Sequence, residues 1–204
     1  MQKKFVLLLV IGVCSTMGLR AQSVTYSNLS YKYIYKITVV KSGDKDDFRC
    51  RLRLYVFKRD GKLLQVIDVD AGSLHDDDAF KSSKNSRSFI TGRGRNLPVE
   101  DYDFGDLVIA DLNFDGKEDI AVKSGLSADS GPNYTFYMQG NDGLFYIDNY
   151  LTANVLSFPK YINAKAKTIT TQTHANVSQE DKRTFKYNAD TKKWHFEKGV
   201  RVES

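Results

Sequence analysis

Residues 111–119 read Asp-Leu-Asn-Phe-Asp-Gly-Lys-Glu-Asp. Asp111, Asn113 and Asp115 offer side-chain oxygens at every second position, Gly116 allows a sharp turn, and Asp119 closes the run. A short loop built this way wraps a hard, oxygen-loving cation, and Ca²⁺ suits it best. At the seventh position the ligand would be the backbone carbonyl of Lys117, with its ammonium turned to water. Aspartates crowded into a small volume repel one another, so a bound cation is expected to order the loop. An EF-hand needs a bidentate glutamate at the twelfth position. That position is Val122, and no helical pattern flanks the loop. The absence of His and Cys disfavours Zn²⁺, and Mg²⁺ demands a smaller octahedral shell. Phe114 is expected to tuck inward and anchor the loop. The competing reading is an ordinary Asp-Gly hairpin with surface acids.

Other residue types offer less chemistry. His75, His174 and His195 are far apart and share no ligand spacing. No nucleophile elbow, phosphate-cradling glycine loop or marked pair of acids is present. A non-catalytic protein is therefore expected, with metal ligands at Asp111, Asn113, Asp115, Lys117 and Asp119 and no catalytic residues. Cys50 alternates with Leu52 and Leu54, as a small core residue does.

The elements that must hold the loop have a period of two. Phe48, Cys50, Leu52, Leu54 and Val56 alternate with Arg49, Arg51, Arg53, Tyr55 and Phe57, giving a half-buried strand with a basic outer face. Asp60-Gly61 supplies a hairpin turn, and residues 63–69 run back. Tyr31, Tyr33, Tyr35, Ile37 and Val39 form an earlier alternating strand. Residues 107–110 lead into the acidic loop and 120–123 lead out. Residues 134–138 and 144–147 flank a second hairpin at Gly140-Asn141-Asp142-Gly143, and 167–173, 183–187 and 193–197 are further β-prone runs. No window carries a clear helical stripe. Roughly ten short antiparallel strands predict an all-β single domain, a sandwich or a barrel-like or propeller-like sheet. No blade-length repeat supports a full propeller.

Two surfaces stand out. Lys81, Lys84, Arg87, Arg93 and Arg95 occur in a long polar connection with no acid among them, either a solvated loop or a basic lip for an acidic partner. Tyr134, Phe136, Tyr137, Phe145, Tyr146 and Tyr150 cluster after the acidic loop. Alternation puts one face in the core and leaves the other as a flat aromatic surface for a protein or sugar, or as a second ordinary sheet face.

Residues 1–21 have the charge, apolar run and small-residue ending of a secretory signal, with cleavage expected after Ala21. The apolar run, residues 5–13, is too short to cross roughly 30 Å of hydrocarbon. Lipidation at Cys14 is the alternative. Lys3, Lys4 and Arg20 leave with the signal and no acid does, which brings the formal charge from +5 to +2. That balance argues against a nucleic-acid binder. Residues 22–204 suffice for one domain. A periplasmic or secreted location follows.

From Leu107 onward the chain resembles a bacterial family. The residues that carry the likeness are the 111–120 run, Ser124-Gly125, residues 133–137, Gly143-Leu144-Phe145, Phe158-Pro159 and Lys167-Thr168-Ile169-Thr170. They are similar to the periplasmic single-calcium-loop β proteins, with their integrin-like (FG-GAP-like) loop, that include inhibitors of lysozyme-like effectors of antibacterial type IV secretion systems. The likeness covers about residues 100–204. It implies a mostly β fold, one calcium site at the five loop residues, no catalysis, and a protein partner that is a wall-degrading enzyme, as for an immunity protein. Characterised relatives are typically lipid-anchored, whereas Val13 before Cys14 is a poor lipidation context. A calcium-dependent adhesion or glycan-binding module is the competing function.

Overall fold

A computed structural model describes residues 22–41, 50–72, 74, 79–127, 131–155 and 157–203. The signal, Cys14, Phe48 and His75 lie outside them. Three sheets account for nearly all the regular structure. In the first, β1 (Ser23–Tyr26), β2 (Tyr33–Lys41), β3 (Cys50–Lys58) and β4 (Leu63–Asp70) form an antiparallel meander. The second contains β5 (Ser86–Ser88), β6 (Leu107–Ala110), β7 (Asp119–Ser127), β8 (Gly131–Gln139) and β9 (Phe145–Ile147), in that order. Its β5–β6 pair is parallel and the rest are antiparallel. The third is another antiparallel meander: β10 (Tyr161–Asn163), β11 (Thr168–Asn176), β12 (Gln179–Asn188) and β13 (Lys193–Glu203). One short helix, α1 (Asn149–Asn154), is capped by Asp148, whose carboxylate accepts from the Leu151 N–H at 2.9 Å.

Side-chain alternation stacks these sheets. Tyr35 and Ile37 of β2 and Cys50, Leu52, Leu54 and Val56 of β3 point to one side, while Arg51 and Arg53 face water. They pack on Leu107, Ile109, Ile120, Val122 and Tyr137 to form one core. The other face of the same middle strands, carrying Val108, Ala110, Ala121, Tyr134 and Phe136, packs on Leu151, Ile169, Phe185 and Trp194. The middle sheet is therefore covered on both sides, which is why β6 is buried along its whole length.

The all-β expectation holds, as a three-layer stack with no closed barrel among the described residues. The expected strand count is low. The pieces missing from it are β1, β5 and β10, which are only four, three and three residues long. Runs that short show too few alternations to register as a period. The predicted turns form as read: Gly61 and Gly143 take φ values of 85° and 82°, in the left-handed region that glycine enters without a steric cost.

Candidate functional site

The acidic loop is the connection from β6 to β7, closed where Ala110 pairs with Asp119. Asp111 organises its centre. Its two carboxylate oxygens accept from the Asp115 N–H at 3.0 Å and the Gly116 N–H at 2.9 Å. Asn113 Oδ1 accepts from the same Asp115 N–H at 3.1 Å. The first and third positions thus point at one backbone amide. Phe114 and Gly116 both take left-handed φ, 61° and 82°, and so coil the chain. Phe114 packs against the second core, its ring 6.2 Å from that of Trp194, which is the expected anchor.

Asp119 closes the loop from inside the protein. It is fully buried, and its carboxylate accepts N–H groups from Leu112 at 2.8 Å, Asn113 at 3.3 Å and Gln139 at 3.0 Å. Burial pushes its pKa up to about 7, against the pull of those three amides. Lys117 departs from expectation. Its ammonium does not point to open water but donates to Asp115 Oδ2 at 3.0 Å and to Asn141 Oδ1 at 2.9 Å, tying the loop to the β8–β9 turn. Among the described residues, no three His, Cys, Asp or Glu side chains converge as a metal cluster. The donor set itself is all oxygen, as a hard cation requires. Each carboxylate oxygen that accepts one N–H keeps a second lone pair.

Of the two readings of the aromatic cluster, the structure takes that of two ordinary sheet faces. Tyr134 and Phe136 lie in the second core and Tyr137 and Phe145 in the first, because both faces of the middle sheet are covered. Tyr146 is the exception, about half exposed. No flat aromatic platform remains there. His195 is exposed on β13, and His174 sits edge-on to Tyr102 with ring centroids 4.8 Å apart.

The basic segment divides. Lys84, Arg93 and Arg95 are exposed, but Arg87 is buried on β5. Its guanidinium donates to the carbonyls of Phe104 at 2.8 Å, Gly94 at 3.1 Å, Leu97 at 2.8 Å and Pro98 at 2.6 Å. It is the peg on which the connection hangs.

A second polar centre lies inside the middle sheet. The buried Lys123 ammonium sits 2.8 Å from Asp103 and 3.2 Å from the buried Asp106. Asp106 also accepts from the Phe80 N–H at 2.7 Å and from Asn85 at 2.9 Å. Burial pushes the Asp106 pKa up to about 6, partly offset by Lys123. Tyr134 donates to the Gly105 carbonyl at 2.9 Å. Spacing alone does not reveal this centre, since Lys123 and Asp106 are seventeen positions apart and belong to no motif. The one available signal was a lysine directly after the apolar run Ile120-Ala121-Val122.

No protein-family model matches the chain, and no curated protein matches it. The fold is similar to that of a solved structure described as a Xanthomonas type IV secretion system related protein. The TM-score is 0.55 at 13% identity, covering 91% of this chain and 84% of that one. At that identity the likeness concerns the fold.

Proposed function

We propose that this chain is a non-catalytic, calcium-stabilised binding protein of the periplasm or extracellular space, and that its target is a lysozyme-like wall hydrolase. The observation that carries this reading is the strand–loop–strand hairpin 111–119, set into a fold similar to a type IV secretion system related protein over most of both chains. In this reading Asp111, Asn113, Asp115 and Asp119 supply side-chain oxygens and Lys117 its peptide carbonyl. The ion would supply positive charge to a loop whose only cation, Lys117, already serves Asp115. Asp111, Asn113 and Asp119 hold the backbone in shape meanwhile, through the amide hydrogen bonds of the hairpin. The protein then acts by stoichiometric occupation of its target rather than by turnover.

Two measurements test this. In a turbidity assay the protein should suppress lysis by its muramidase target at a one-to-one ratio, with no turnover of its own. Lysis unaffected by excess protein across a panel of muramidases would end the inhibitor reading. For the ion, calcium at a hundred times its dissociation constant should add about 2.7 kcal/mol of stability. Asp115→Ala should erase the difference in melting temperature between calcium and chelator. An unmutated protein that melts identically in both would remove the calcium site.

A further inference from the structure

At the end of β6 away from the acidic loop, a cavity of about 530 Å³ opens between the middle and third sheets. We infer that it binds an organic anion: a carboxylate carried on a flat, apolar ring body. This stands independently of the calcium loop and the inhibitor reading. The volume is within the range of small-molecule sites.

The walls supply the apolar part. Phe89, Tyr102 and Phe104 line the cavity, and Phe158 lies behind them, stacked on Phe89 and tilted against Phe104 with centroid distances of 5.7 and 5.1 Å. The backbone there is held in an unusual shape. Asp101 and Tyr102 are consecutive non-glycine residues at φ 46° and 59°, a conformation that persists only where surroundings enforce it and that clusters at ligand sites.

Charge selects the anion. Arg87, Arg95 and Lys160 line the cavity, against Asp101 and Glu180. Glu180 is already committed: it accepts from Tyr102 at 2.8 Å and from Gln172 at 2.5 Å. Lys160 adds its field to the same carboxylate. His174, at 3.4 Å from the Tyr102 hydroxyl, adds a polar edge. Asp101 sits on the exposed rim. The buried Arg87 spends its hydrogen bonds on carbonyls and, among the described residues, makes no ion pair with a carboxylate. The Asp103 carboxylate reaches it only through its field, which burial outweighs, and a buried cation without a direct counter-charge is costly. An incoming carboxylate supplies that charge, and exposed Arg95 meets it at the mouth.

The probes are naphthalene-2-carboxylate, its neutral carboxamide and inorganic phosphate, titrated into the purified protein and followed by amide NMR shifts. The carboxylate should bind saturably, with the largest shifts at residues 87–104, 160, 174 and 180. Losing one charge-assisted hydrogen bond predicts about tenfold weaker binding of the carboxamide. The Arg95→Gln, Lys160→Gln double variant, altered only at exposed positions, should weaken the carboxylate by a similar factor. The inference fails if no probe saturates, if carboxamide and carboxylate bind alike, if phosphate alone binds as tightly, or if the double variant binds unchanged.

Discussion

Lys123 is the residue whose removal tells most about the interior. Its ammonium is fully buried between Asp103 and Asp106. Burial opposes the charge, yet the two carboxylates hold its pKa above the ordinary lysine value. Taking away one partner of such a group strands the other. Lys123→Met should cost about 3–5 kcal/mol in urea unfolding near neutral pH. The loss should shrink at acid pH. The folded-state pKa of Asp106 lies above its unfolded value and is raised to about 6, so the folded chain holds a proton there that the unfolded chain has released. Stability from this group therefore falls as pH rises from about 4 to about 6, and without Lys123 to restrain it that fall should deepen. Equal losses at pH 4 and pH 8 would show that Asp106 does not titrate in this window. The loop aspartates were legible in the sequence because their spacing is local. Lys123 was not, because its partners reach it only through strand pairing: the Lys123 N–H donates to the Asp106 carbonyl at 3.0 Å across the β6–β7 edge.

Arg87 performs at the level of an element what Lys123 performs at one point. β5 is three residues long and pairs with β6 along one side. The connection after it has few apolar anchors, so four carbonyl acceptors on one guanidinium hold it in place. A planar fork of donors suits this task and a lysine cannot replace it. Arg87→Met should loosen residues 88–98, and trypsin should then cut faster after Arg93 and Arg95 under native conditions. An unchanged cleavage rate would mean that packing of Phe89 alone fixes the segment. Element by element, the long strands were legible wherever one face meets water, as in β3, where Arg51 and Arg53 alternate with buried neighbours. The basic segment was misjudged at Arg87 because composition does not say which of several cations turns inward.

At the scale of the molecule, the middle sheet belongs to two cores at once. Ile109 contributes to one and Phe136 to the other. Ile109→Ala should cost about 2–5 kcal/mol and Phe136→Ala about 3–5 kcal/mol. Both should lower a single cooperative transition, seen alike by far-UV and near-UV circular dichroism. Separate transitions in either variant would mean that the outer sheets melt independently. The stack was only half legible in the sequence. An unbroken apolar β6 signals a strand covered on both faces, but nothing local says which segments do the covering, and the first meander could equally have continued the same sheet. The stack also leaves a long rim. β13 runs eleven residues along the border of the third sheet, with Lys193, His195, Glu197, Lys198, Arg201 and Glu203 projecting from it. A border strand is an open invitation for a second molecule to zip on. Here a newcomer must first dehydrate ionised groups of both signs and then follow the kink at Thr184/Phe185 in the adjoining pair. The exposed Phe196 and Val200 of the same strand favour such pairing, so the defence of this border against fibrils rests on its charges, and crowded solutions should accordingly stay monodisperse.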